Sequence, residues 1–388
     1  MNNGKYVFSQ IIELLSPNDF NRCVRKYEGN YKIKTFTCWH QLLYMMFGQL
    51  SNRDSLRDLI LCLQSQQNKA YHLGMGRGTS KSNLAKANEQ RDYRIYQSFA
   101  FMIVAQVQKL AVNAEALELS INNPVYAIDA TVVDLCLNAF WWGKFRKRKS
   151  AVKLHTVFDI KTNIPTFIHV TGGAIHEVSV LDVLQFEAGS YYVMDRGFID
   201  FKRFYRIHQQ GAFFVTRAKE SFAFIPVSSR QVDKTTGVKC DQTVKLKNRL
   251  VSLYYPDCMR RIKYYDQENS IELVFITNDF DITALEIARI YKYRWAIELF
   301  FKWIKQHLKV KTFWGQSLNA VRTQIYIAMI TYLTVVLVKH QLKLKQSQYE
   351  ILQILSVSLL CKTPLLELFQ NNYPQYVKEQ SSNQLNLF

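Results

Sequence analysis

The chain has 388 residues, 48% hydrophobic and 14% aromatic, which is enough to build two or three domains with real cores and excludes a disordered protein. Lys and Arg number 50 against 31 Asp and Glu, a formal charge of +19, and such an excess repels itself unless a polyanion answers it: nucleic acid first, an anionic membrane surface second. The start "MNNGKYVFSQIIELL" lacks signal-peptide grammar, and the seven cysteines form no C-x-x-C pair; the expectation is a cytoplasmic protein with reduced, mostly core thiols.

From 1 to 115 apolar residues recur at three- and four-residue spacing, as in "CWHQLLYMMFGQL", and the segment reads as a helical DNA-binding region. Within it, Thr79 or Ser80 is placed to cap a helix carrying Lys81, Lys86, Arg91 and Arg94, either a DNA-contacting helix or a solvated basic one. After Asn123-Pro124 the pattern changes to strands at 125–137, 151–160, 164–173 and 190–195, with a helical pattern at 176–186 and another in "FIDFKRFYRIHQQ". Three strands, a helix, a strand and a helix is the order of a ribonuclease-H-like α/β core, first part 116–210. Residues 211–280 read as a β-rich insertion, and Thr283 with Glu286 suggests a capping box that opens the second core part, 281–360. Inside it, "IYIAMITYLTVVLV" at 325–338 is too short to cross a bilayer and reads as a buried helix, so no membrane partner is expected. A polar tail, 361–388, closes the chain.

Two aspartates end or interrupt apolar strands, where a charge is costly to desolvate: Asp129 in "YAIDAT" and Asp195 in "YVMDRGF". A third carboxylate stands in "YKYRWAIELFFKWIK", where helical geometry gathers Tyr291, Arg294, Glu298, Lys302 and Lys305 into one polar seam. Three carboxylates suit hard divalent cations, and paired ions suit in-line displacement at phosphorus.

These residues carry a resemblance. Tyr291, Arg294, Glu298 and Lys305 meet the pattern Y-x2-R-x3-E-x6-K, Asp129 stands in D-[AS]-T and Asp195 in D-R-G-[FY]; together the chain resembles, over about 80–340, the DDE transposases of bacterial insertion sequences, in the "insertion sequence four" group that includes the transposon-five transposase. The resemblance implies cut-and-paste transposition of double-stranded DNA by a homodimer on paired element ends. It makes Asp129, Asp195 and Glu298 the catalytic ligands of two Mg²⁺ ions, for which Mn²⁺ can substitute. Arg294 and Lys305 then hold a phosphodiester. Tyr291 either touches phosphate or packs the seam, and Trp295 either stacks on an extruded base or belongs to the core. Arg146, Lys147, Arg148, Lys149 and Lys153, beside the Asp129 strand, supply sequence-independent backbone affinity. His155 is read as a structural histidine, and His176-Glu177 departs from the His-Asp of many relatives.

Within the tail, Gln384, Leu385, Leu387 and Phe388 form Q-L-x-L-F, which resembles the pentapeptide that docks bacterial replication proteins on the sliding clamp; the other reading packs these residues on the last helix or in a dimer contact. Two further functions remain open, a ribonuclease-H-like nuclease or resolvase and an inactive DNA-binding regulator derived from a transposase. Product analysis separates the first, and the intact carboxylates argue against the second.

Overall fold

The structure, a computed structural model, describes residues 4–111, 119–135, 140, 144–146, 149–219, 222–307 and 313–370. The N-terminal region is helical: α1 (Val7–Ile12), α2 (Pro17–Lys26), α3 (Cys38–Leu50), α4 (Leu56–Ser65), α5 (Gln67–His72), α6 (Lys81–Gln90) and α7 (Arg94–Ala111). Hydroxyl caps define where several begin, since Ser16, Thr37, Ser55 and Ser80 each accept a backbone N–H of the first turn.

Strands follow: β1 (Val125–Leu135), β2 (Lys144–Arg146), β3 (Lys149–Asp159), β4 (Ile164–Gly172) and β5 (Tyr191–Met194), then α8 (Phe201–Gln209) and β6 (Phe213–Arg217). The chain continues with β7 (Phe224–Ser229), β8 (Val238–Leu246), α9 (Arg249–Ser252), β9 (Met259–Asp266) and β10 (Ile271–Thr277). Among the described residues all ten strands form one sheet in the order β2-β3-β1-β5-β6-β10-β9-β8-β7, with β4 also on β3. β3 is antiparallel to β1 and β4, whereas β1, β5 and β6 run parallel. The strand-rich segment expected as an insertion therefore extends the same sheet, because β10 pairs antiparallel with β6.

Among the described residues, helices follow the sheet in sequence: α10 (Ala284–Lys292), α11 (Trp295–His307), α12 (Leu318–Gln341), α13 (Gln348–Ser358) and the short α14 (Leu365–Gln370). α12 is the buried helix expected at 325–338, extended at both ends. Apolar on all sides, it packs on α3, α6, α7, α13 and β4, and Thr331 and Thr334 satisfy their hydroxyls on carbonyls one turn back. Length and composition alone would let it cross a membrane, but it is buried within the protein over almost its whole length. The link before it docks on the N-terminal helices: Trp314 lies so close to Gly48 that a Cβ there would stand 2.7 Å from its ring.

One apolar core joins the N-terminal helices, α11, α12 and one face of the sheet, including Val125, Ala127 and Val133 of β1 and Tyr191 and Val193 of β5. A second core lies on the other face, with Ile128, Tyr192 and Met194 packed against Phe201, Phe204 and Ile207 of α8.

Several local expectations are corrected. The helical pattern at 176–186 yields only a 3-10 turn, Glu177–Asp182, capped by His176. Thr283 caps α10, but Glu286 does not close a capping box, because its carboxylate is turned to the backbone N–H and hydroxyl of Ser120. The segment from 291 onward is not one helix: between α10 and α11 the chain tightens through i to i+3 bonds from Arg294 N to Tyr291 O and Ala296 N to Tyr293 O. Among the described cysteines only Cys23 and Cys38 are buried; Cys361 is exposed.

Candidate active site

Strand parity decides where the aspartates point. Side chains alternate across a sheet, so Asp129 shares the face of Val125 and Ala127, and Asp195, the residue after β5, shares the face of Tyr191 and Val193. The parallel register pairs Ile128 with Met194, which brings the next residues, Asp129 and Asp195, side by side on strands about 4.8 Å apart. α11 lies over this face, with Phe300 5.3 Å from Phe158 of β3, and so delivers Glu298 to the same place. The three carboxylates named from sequence thus converge where the parallel pairing of β1 with β5 ends.

Arg294 is held between two of them. Its guanidinium donates to Glu298 Oε1 at 2.6 Å and to Asp129 Oδ2 at 3.5 Å, while its Nε is buried without a partner among the described residues. Asp129 also accepts the Ala130 N–H at 2.7 Å, and Asp195 accepts the Gly197 N–H at 2.6 Å. Only 18% of the Asp129 side chain is exposed. Burial pushes its carboxyl up to about 6; the Ala130 N–H and Arg294 oppose that rise, and Asp195 and Glu298 add to it by repulsion.

Among the described residues no three acidic, His or Cys side chains stand close enough to share one ion, since Glu298 is turned to Arg294. The donor chemistry nevertheless fits a hard divalent cation. All three groups are carboxylates without nitrogen or sulfur, and a guanidinium already occupies the place between Glu298 and Asp129 where positive charge is wanted.

The remaining sequence candidates divide. Tyr291 packs on Phe275 at 4.9 Å under the Arg294 guanidinium, and burial raises its phenol while Arg294 and Arg217 pull it down. Trp295 is 57% exposed beside the site, so the core reading fails for it. Lys305 is half-buried, two turns beyond Glu298 on α11. Lys81 and Lys86 are exposed on α6, which Ser80 caps.

Two basic residues are corrected as DNA contacts. Arg91 is buried, stacked on Phe36 and donating to the carbonyls of Phe36 and Thr37 and to Gln41. Lys153 is buried on the face opposite the carboxylates, with Nζ on the Ile175 carbonyl at 2.8 Å and beside Glu177. In both, internal acceptors already take the charge. Arg146 and Lys149 lie on β2 and β3, whereas Lys147, Arg148, Gln384, Leu385, Leu387 and Phe388 fall outside the described residues. His155 is fully buried, bonded through Nε2 to Thr171 at 2.9 Å, as a structural histidine would be, although its Nδ1 lacks a partner among the described residues.

Sequence reading missed Arg217. It ends β6, and the register pairing Met194 with Thr216 sets it beside Asp195 on the same face, so β1, β5 and β6 present Asp129, Asp195 and Arg217 in a row. Its guanidinium has no ion-pair partner among the described residues. The signal was an arginine closing an apolar strand, "FFVTR", as costly there as the two aspartates. Clefts of about 310 and 380 Å³ lie elsewhere, one lined by Tyr44, Gln64 and Arg77 and the other by Tyr126, Phe167 and Glu187.

Comparison with known proteins bears on this geometry. A family model described as a transposase DDE domain matches residues 122–334, and a domain of unknown function matches residues 3–76. A Sinorhizobium fredii protein named as a transposase is 30% identical over 64% of this chain and 68% of its own length. A Geobacillus stearothermophilus protein named as the transposase of insertion sequence element IS5377 is 27% identical over 65% of each chain. A piggyBac transposase synaptic complex with hairpin DNA superposes with a TM-score of only 0.43 at 12% identity, over 98% of this chain and 88% of that one. With more than half its length matched and Asp129, Asp195 and Glu298 gathered inside the match, the chain belongs to the DDE transposases of insertion sequences, enzymes that depend on a divalent metal.

Proposed function

We propose that this transposase cuts double-stranded DNA at the ends of its element and joins the freed 3′-hydroxyls to target DNA, using Asp129, Asp195 and Glu298 to hold two Mg²⁺ ions, for which Mn²⁺ can substitute. The observation that carries the reading is the convergence of three carboxylates from β1, β5 and α11 on one face, with cationic side chains around them. Bound divalent ions would offset charge on the attacked phosphate and on the entering and leaving oxygens. Arg294, set between Asp129 and Glu298, would offer its fork to the phosphodiester, with its Nε as a further donor. Arg217 and Lys305 hold the strand on either side, and exposed Trp295 offers a ring to an unpaired base.

The order β4-β3-β1-β5-β6, antiparallel then parallel, supports a ribonuclease-H-like core. We read 1–115 as the end-binding region, 116–210 and 281–360 as the two core parts, 211–280 as the insertion, whose first strand β6 completes the parallel part of the core sheet, and 361–388 as the tail. The protein acts in the bacterial cytoplasm as a homodimer on paired ends, and Gln384, Leu385, Leu387 and Phe388 dock it on the sliding clamp.

The test is incubation of the protein with Mg²⁺ and DNA carrying the sequences that flank its gene. Released element and joined target are expected, and Asp195→Asn or Glu298→Gln should abolish both while DNA binding persists. Cutting without joining would favour a nuclease, and near wild-type cutting by either variant would remove that residue from the site.

A further inference from the structure

Thr156 of β3 stands directly opposite Asp129 in the antiparallel register. Facing partners lie on one side of the sheet with Cβ atoms about 5 Å apart, so the threonine side chain shares the face on which the carboxylates meet. It is fully buried, and among the described residues its hydroxyl has no hydrogen-bond partner. Burying a hydroxyl unpaired is unfavourable, and an orphan of this kind in a native structure needs a reason. Packing does not supply one, because the neighbouring same-face positions are Leu154 and Phe158, and valine would fill the site with the same shape.

We propose that Thr156 is a positioning residue for Asp129. When Arg294 leaves Asp129 for the phosphodiester, the carboxylate loses its 3.5 Å contact, and the Thr156 hydroxyl becomes the donor that keeps it directed at the divalent ion. In the present arrangement Asp129 takes the Ala130 N–H on Oδ1 and Arg294 on Oδ2, and the hydroxyl is idle. The neutral hydroxyl orients the carboxylate without competing with the cation for it. This inference rests on the metal-binding reading of the three carboxylates.

The experiment compares Thr156→Val and Thr156→Ser with wild type, using the full chain without DNA. Mn²⁺ binding is titrated by calorimetry, and thermal melting is followed in EDTA. Removing an unpaired buried hydroxyl isosterically should leave the melting temperature in EDTA unchanged or higher, while Mn²⁺ affinity falls about tenfold; Thr156→Ser should restore the affinity. A structural hydroxyl would show the opposite, a lower melting temperature with unchanged Mn²⁺ affinity, and that outcome overturns the proposal, as does unchanged affinity with unchanged melting. If wild type binds no Mn²⁺, the parent reading of the carboxylates fails first, a result distinguishable from a wild-type-like Thr156→Val.

Discussion

Replacing Asp129 by Asn removes an ionisable group while keeping an oxygen that can accept the Ala130 N–H. Because burial, with Asp195 and Glu298 nearby, pushes this carboxyl up to about 6 from an ordinary 3.8, the folded protein between those values holds a proton that the unfolded chain has released. Metal-free stability therefore falls as pH rises from about 4 to about 6, and above that the wild type bears the full cost of an ionised, desolvated carboxylate. The difference between 3.8 and about 6 corresponds to about 3 kcal/mol. Asp129→Asn should match wild type near pH 4 and exceed it by up to about 3 kcal/mol at pH 7.5, in urea unfolding with EDTA. His155 works in the other direction: burial, with His169 and Lys153, pushes its imidazole down to about 4, so its neutral form favours folding increasingly as pH rises from about 4 to 6.5. Both proteins contain His155, and subtracting one pH profile from the other leaves Asp129 alone. Mg²⁺ should raise the wild-type unfolding midpoint and leave that of the variant nearly unmoved. If the variant at pH 7.5 in EDTA is no more stable than wild type, Asp129 is not a charge held at a cost for metal, and the reasoning fails.

Further substitutions probe the corrections and the sheet extension. Arg91→Ala should cost about 2–4 kcal/mol in chemical denaturation by leaving two carbonyls and Gln41 without their donor, with no loss of DNA affinity in the folded fraction; Lys81→Ala and Lys86→Ala should leave stability alone and each lower the salt dependence of DNA binding by about one charge. Arg260→Ala should destabilise by about 3–5 kcal/mol, because Arg260 and Asp241 form a buried two-bond ion pair at 2.7 and 2.9 Å, while Arg260→Met with Asp241→Leu should lose far less, as measured by urea unfolding.

Element types and the three carboxylates were legible in the sequence alone because both signals are local. Apolar periodicity separates helix from strand, and a carboxylate inside an apolar pattern is conspicuous wherever the element sits; α12, β1, β3, β4 and β5 appear near their expected positions, and Asp129, Asp195 and Glu298 stand out in the sequence as such charges. Local pattern failed where the outcome depended on distant partners. Glu286 had the spacing of a capping box, but Ser120, 166 positions away, competes for its carboxylate. Arg91 had the look of a surface cation, but three acceptors near the start of α3 enclose it. The pairing of β10 with β6, which turns the insertion into sheet, and the registers that set Arg217 beside Asp195 and Thr156 opposite Asp129, are properties of strand pairing. A shift by one residue would turn each side chain to the other face without altering the sequence pattern, so only the tertiary structure decides them.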